Sequence, residues 1–372
     1  MAGDQSNRTG AVLEIDLAGI AENWRLLRRR AAPADCAAVV KADAYGLGAI
    51  PVAGALAAAG CGRFFVATLA EGIALRAALP RRCGIAVLNG PVEGSATEFC
   101  EHRLLPVLND PAQIAEWRAL ALCRGPLPAM LQIDTGMARL GLSPREFASF
   151  VDSSAERAGI DWRALLSHLA CADTPLHPLN EAQRQRFADA HARLPGWPAS
   201  LAASSGIFLG SRYHFDFVRP GAALFGVNPQ PGTPNPMRQI VHLRARILQI
   251  REIDAGQPVG YGAAHVMAAA GRLATVAVGY ADGWQRSLSH RGTGLIGGRR
   301  VPLLGRVSMD LAVFDVSGVD PALARPGGFI ELLGEARGVD DAAAEAGTIG
   351  YEILVALGRR YHRVYRDGSS AC

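Results

Sequence analysis

Short apolar runs and helix-like stretches alternate along the first part of the chain. The runs at 38–42, 64–68, 85–89, 104–108, 130–134, 165–169, 201–204 and 215–219 are short and mostly apolar rather than regularly alternating. Such runs are expected of strands buried on both faces, the condition of a parallel sheet. Stretches of helical pattern, for example 111–122 and 181–194, lie between them. Eight strands alternating with helices predict an α/β fold, a closed (β/α)8 barrel of the TIM type rather than an open sheet.

After the proline-rich segment 228–236 (NPQPGTPNP) the rhythm changes. Segments 239–253 and 307–316 alternate polar and apolar positions, as antiparallel strands with one wet face do. Gly297-Gly298 stands between two such runs and marks a hairpin turn. Only 340–347 and 348–357 carry a helical pattern in this half. The expected organisation is a barrel over residues 11–236 followed by a β-rich C-terminal domain over 237–372.

Composition agrees with this division and removes several function classes. A chain of 372 residues is long for one core and fits two domains. With 49% hydrophobic and 19% charged residues it is globular, and no apolar run is long enough to span a bilayer. A net charge of +4 with scattered basic residues excludes a dedicated nucleic-acid surface. The run Arg28-Arg29-Arg30 is the exception, and it reads as the solvated side of the first helix. Seven irregularly spaced cysteines without a CxxC pair give neither a disulfide framework nor a zinc site, so no metal is expected. The opening MAGDQSNRTG lacks the apolar core of a signal peptide, which makes the cytoplasm the expected compartment.

A barrel places its chemistry at the C-terminal ends of its strands. Those ends carry Lys41 after strand one, Asp134 after five, His168 after six, Ser204 after seven and Arg219 at eight. Each has a plain reading when taken alone: a strand-end lysine reaching solvent, a salt-bridged arginine, a satisfied histidine. Together they form a constellation of polar and ionisable groups on one rim. Lys41 closes the run AAVVKADAYGLG and is followed by Tyr45-Gly46 and Gly48, small residues that let a ligand approach the backbone. A desolvated lysine of lowered basicity is the usual nucleophile for a carbonyl cofactor.

VVKADAYGLGA resembles the pyridoxal-phosphate lysine motif of the alanine racemase family. The resemblance continues in order through DTGMARLG (134–141), SHLACAD (167–173), ASSG (203–206), VRPGAALFG (218–226), VGYG (259–262), VGYADGW (278–284) and GRVSMD (305–310). It implies a fold-type III enzyme with pyridoxal 5'-phosphate bound to Lys41 as a Schiff base. Tyr45, Ser204 and backbone amides near Gly221 and Ala222 are implied to bind the phosphate, and Arg219, hydrogen-bonded to His168, to face the pyridine nitrogen. An arginine there disfavours ring protonation, weakening the electron sink and suppressing transamination and decarboxylation.

The resemblance further implies two bases, Lys41 and a Tyr261 supplied by the partner subunit of a homodimer. Proton removal on one face of Cα and delivery on the other requires such a pair. Arg139 and the Met309 backbone are implied to hold the substrate carboxylate. Tyr280 would narrow the entrance, and Asp310 would reach across beside Met309. Three positions depart from the commoner pattern. Gln132 stands where many members have a carbamylated lysine that holds the arginine, Ala203 where an asparagine is common, and Arg359 where a tyrosine touches the phosphate, with Tyr361 close by.

The expected function is therefore interconversion of L- and D-alanine, supplying D-alanine for peptidoglycan or degrading it. The alternatives are a racemase of broader specificity (serine or basic amino acids), a pyridoxal-phosphate decarboxylase, and a non-enzymatic carrier of the cofactor. Arg219 argues against the decarboxylase, and the β-rich second domain against the carrier.

Overall fold

The computed structural model describes residues 8–367, and its contacts divide the chain into two units. Among the described residues, one contains Ile20–Leu224 and Asn228–Met237; the other joins residues 8–19 to Phe225–Val227 and to residues 238–367.

The first unit is the barrel. Strands Ala38–Val39, Arg63–Val66, Gly84–Val87, Leu105–Leu108, Leu127–Gln132, Ile160–Leu166 and Ala199–Ser200 lie side by side in chain order, all parallel. Phe217–Val218 closes the ring against Asp35–Cys36, and the Ala203–Arg219 bridge joins it to the seventh strand. Val39, Phe65, Ala86, Val107, Met130, Leu166 and Phe217 fill the interior. Strands one to six and the eighth all contribute to this cluster, so the barrel is a packed core rather than a pore. Helices start on side-chain caps, Thr68 and Ser143 each forming a capping box and Asp110 accepting two amides.

Seven of the eight expected strands overlap an observed one, the run 201–204 lies just past its strand, and several ladders stop earlier than the apolar runs. The run 201–204 corresponds to a strand at Ala199–Ser200, and 38–42 to one ending at Val39. Apolar character continues past the last ladder bond because the first residues of these loops are buried at the rim.

The second unit is an eight-stranded, largely antiparallel sheet around Val241–Ile253, which pairs with Ala11–Asp16, Gly271–Val276 and Phe329–Leu333. Val241, Leu243, Ala245 and Ile247 alternate inward and are buried. Thr293–Ile296 and Arg299–Leu304 form the expected hairpin, with Gly297 at φ 56° and Gly298 at φ 78° as a two-residue turn requires. Helices Val339–Ala346 and Gly350–Ala356 occupy the two expected positions.

Two expectations change. Ala11–Asp16, assigned by sequence to the barrel, belongs to the β unit, where it also pairs in parallel with His362–Arg366. Of the strand expected over 307–316, only Ala312–Asp315 forms; the residues before it make a loop with Met309 exposed.

Candidate functional site

The chain after the first barrel strand is unusual. Ala42, Asp43, Ala44 and Tyr45 have φ of 53°, 54°, 52° and 56°, a left-handed helical turn built without glycine immediately after Lys41. Each such residue costs about 1–2 kcal/mol relative to a right-handed one, so the turn persists because its surroundings fix it. Gly46 N–H donates to the Ala42 carbonyl at 2.7 Å and Gly48 N–H to that of Asp43 at 2.8 Å. The Asp43 carboxylate accepts the Ala49 amide at 2.7 Å. Glu71 accepts the Ala42 amide at 2.7 Å. Gly46 (φ 83°) and Gly48 (φ 98°) thus serve the exit from the turn, where the backbone needs a positive φ.

The Lys41 side chain is partly buried, and its basicity is lowered by burial first and by the Arg139 charge second, with Glu71 opposing. His168 is pushed down to about 3, chiefly by burial and then by Arg219, Arg139 and Lys41, so it is neutral at physiological pH. Lys41, Arg139 and Arg219 therefore act electrostatically on one histidine.

Arg219 is buried, and burial lowers it to about 10, which leaves it protonated at neutral pH. It donates to the Ser200 carbonyl at 2.8 Å, to Ser200 Oγ at 2.5 Å and to the Ser167 carbonyl at 2.6 Å. The expected hydrogen bond to His168 is absent among the described residues; the histidine is a neighbour of the charge, and neutral oxygens hold the guanidinium. A buried cation without a carboxylate partner is costly unless something else answers its charge.

Ser204 Oγ accepts the amides of Gly221 at 3.0 Å and Ala223 at 3.2 Å. The amides gathered at this hydroxyl are therefore those of Gly221 and Ala223, with Ala222 between them at the start of a short 3-10 turn. A Cβ on Gly221 would fall 2.3 Å from the Tyr45 hydroxyl oxygen, so only glycine lets the phenol approach. Two hydroxyls and two amides converge at the ends of strands seven and eight, a cradle suited to a phosphate.

Arg139 is exposed. Among the described residues, Gln132 makes no hydrogen bond to its guanidinium: the buried amide donates to the Leu140 carbonyl at 3.2 Å and fixes the loop backbone. Asp134 ties the same loop, accepting the amides of Gly136, Met137 and Ala138 at 2.7–2.8 Å.

In the β unit, three motifs meet. A Cβ on Gly279 would lie 2.3 Å from the Met309 carbonyl oxygen; Tyr280 donates its amide to Ser308 at 3.1 Å and Ala281 to Met309 at 2.9 Å. Arg360 bridges Asp282 at 3.1 Å and Asp310 at 2.7 Å. The Tyr261 turn lies beside the same loop, with a Cβ on Gly262 reaching the Arg306 guanidinium at 3.1 Å. Tyr261, Tyr280 and Met309 are exposed at 70%, 44% and 54%.

Arg359 is also exposed. Tyr361 is buried with its hydroxyl unpartnered, and burial pushes it above the usual phenol range. Arg360, between them, went unnoticed in the sequence, although it carries the ion pairs.

Two further signals were legible but unused. Thr68-x-x-Glu71 is a capping-box pattern directly after a strand. Lys41 is the single lysine of the chain; every other one of its 38 lysine and arginine residues is an arginine. Unlike an arginine, a lysine readily shifts its pKa when buried and can then act as a neutral amine.

A parallel barrel carrying a lone lysine and a cradle of hydroxyls and amides, together with a separate antiparallel domain, defines a two-domain α/β-barrel protein. Family models narrow this further: the alanine racemase N-terminal domain matches residues 15–229 and the alanine racemase C-terminal domain residues 240–365. The chain belongs to the alanine racemase family. It is 52% identical over 368 residues to an alanine racemase of Rhodospirillum rubrum, covering 98% of each chain. To a catabolic alanine racemase of Mesorhizobium japonicum it is 51% identical over 360 residues, covering 96% of this chain and 94% of the relative. Among solved structures, the alanine racemase from Bartonella henselae with covalently bound pyridoxal phosphate superposes with a TM-score of 0.93 at 40% identity, covering 96% of this chain and 99% of that one.

Proposed function

We propose that this chain interconverts L- and D-alanine with pyridoxal 5'-phosphate held by Lys41. The observation that carries the reading is the lone lysine, lowered in basicity, on the same rim as the Ser204–Gly221–Tyr45 cradle and the uncompensated Arg219. That donor set fits a phosphorylated, electron-withdrawing aldehyde, which when bound acidifies the hydrogen on the substrate Cα.

The chain's own residues do the rest. Ser204, Tyr45 and the backbone amides near Gly221 and Ala222 would hold the phosphate. Arg219 donates to the ring nitrogen and, being a permanent cation, does not hand over its proton, which limits electron withdrawal and side reactions. His168 stays neutral and adds no charge to that wall. Arg139 suits the substrate carboxylate as a guanidinium fork, aided by the Met309 backbone. Lys41 Nζ and Tyr261 Oη exchange protons with Cα on opposite faces. Tyr280 limits the entrance, and Arg360 holds Asp310 and the Tyr280 turn together.

The site is shared in a homodimer, with Tyr261, Tyr280, Met309 and Asp310 coming from the partner subunit. The exposure of Tyr261, Tyr280 and Met309 on their own unit supports this reading. Arg359 is available to an anion at the same site. The protein works in the cytoplasm, supplying D-alanine for peptidoglycan or degrading it; among the described residues no helix is long and apolar enough to cross a membrane.

The test is a racemisation assay across alanine, serine, lysine and arginine. Alanine is expected to turn over fastest, in both directions. Comparable rates on serine or the basic amino acids would favour the broader racemase, and release of carbon dioxide without racemisation would refute the assignment.

A further inference from the structure

We propose that Glu71 is the positioning residue of the Lys41 amine: its carboxylate clamps the left-handed turn after Lys41 to the next barrel helix and supplies the anion of a cationic rim. The inference rests on the reading of Lys41 as the reactive lysine. In an ordinary capping box the glutamate reaches back to the cap amide and its second oxygen is spare. Here both oxygens are used. Oε2 accepts Ala67 N–H at 2.8 Å and Thr68 N–H at 3.3 Å, while Oε1 accepts Ala42 N–H at 2.7 Å. Thr68 Oγ1 returns the contact to the Glu71 amide at 3.3 Å, which holds the side chain in place.

Ala42 is the first left-handed residue and the immediate neighbour of Lys41. Its amide is a point at which the turn can be released: the bonds from Ala49 N–H to the Asp43 carboxylate and from Gly46 N–H to the Ala42 carbonyl are internal to residues 42–49, and Ala44 N–H reaches back to the Val40 carbonyl at 2.9 Å. The backbone bond from Val40 N–H to the Phe65 carbonyl at 2.9 Å ends the strand pairing before Lys41, and the Glu71 bond ties the first left-handed residue to the residues that follow the second barrel strand. The charge matters as well as the clamp. The charged groups acting on Lys41 are Arg139, which opposes its protonation, and Glu71, which favours it; His168 faces the same groups and is neutral. Glu71 thus offsets Arg139 and keeps the amine basic enough to take up a proton in turnover.

Glutamine tests both functions, because a carboxamide has one acceptor oxygen and cannot serve the Ala42 and Ala67 amides together. The single lysine makes the measurement direct: in the full-length protein freed of cofactor, acylation of Lys41 by an amine-selective reagent is followed against pH by peptide mass spectrometry. Amide hydrogen exchange at Ala42 is followed in the same samples. For Glu71→Gln, with a wild-type circular dichroism spectrum, the midpoint of Lys41 reactivity should fall by about 1 pH unit and Ala42 exchange should quicken about tenfold. Glu71→Asp, which keeps the charge but is shorter, should restore the midpoint and not the exchange protection. A folded Glu71→Gln protein with both readouts unchanged would overturn the proposal. So would unfolding of both variants, which would make Glu71 a support of the fold and nothing more. Neither readout involves racemisation, so failure of the racemase reading would show in the turnover assay alone.

Discussion

Gly221 and Tyr45 are in such close approach that a methyl group on the glycine would lie 2.3 Å from the phenolic oxygen. Tyr45 cannot easily retreat, because it ends the left-handed turn and is itself at φ 56°. Gly221→Ala should therefore open the cradle and weaken cofactor binding by at least about tenfold, or about 1.4 kcal/mol. Titration of the cofactor-free protein with pyridoxal phosphate, followed by tryptophan fluorescence, measures this. Unchanged affinity would mean that the Tyr45 hydroxyl takes no part in the cradle.

Arg219 should govern reaction fidelity more than binding. Replacing it with Glu substitutes an acid that can share its proton with the ring nitrogen. Racemisation should fall, while the ratio of keto-acid by-product to racemised alanine rises. Loss of activity at an unchanged ratio would assign Arg219 a positional role only.

Much of this was legible in the sequence because periodicity and rim chemistry are local properties. The eight strands, the Gly297-Gly298 hairpin and the polar strand ends follow from runs a few residues long. What escaped were consequences of distant pairing. Ala11–Asp16 joins the β unit through partners more than two hundred residues away, which no local pattern announces. The turn after Lys41 runs against the intrinsic preference of alanine and aspartate and is held by Glu71, 29 positions from the amide it accepts. Gln132, whose side-chain amide could equally have met a guanidinium, donates to a backbone carbonyl, a choice set by loop geometry rather than residue type.

Gln132 also carries a prediction. With Lys41 as the only lysine, no other lysine side chain exists to carry a carbamate. Racemisation should be the same in carbonate-free and bicarbonate-supplemented buffer at fixed pH. A reversible, bicarbonate-dependent gain would contradict the assignment of the Arg139 loop to the Gln132 and Asp134 hydrogen bonds.

Shared sites predict complementation. Lys41→Ala and Tyr261→Ala proteins, unfolded, mixed in equal amounts and refolded, give about half heterodimers, each with one intact and one doubly damaged site. About a quarter of wild-type activity should return for independent sites. Activity no higher than the mean of the two variants would place both bases in one chain.

The account turns on Lys41, and its most direct test is the Lys41→Ala protein alone, assayed for D-alanine formation and for the visible absorbance of bound cofactor. No second lysine can replace it. The predicted result is loss of that absorbance and a fall in racemisation of at least about 10³-fold, in a protein whose circular dichroism is unchanged. A Lys41→Ala protein that kept the absorbance and turned over alanine at the wild-type rate would contradict the account.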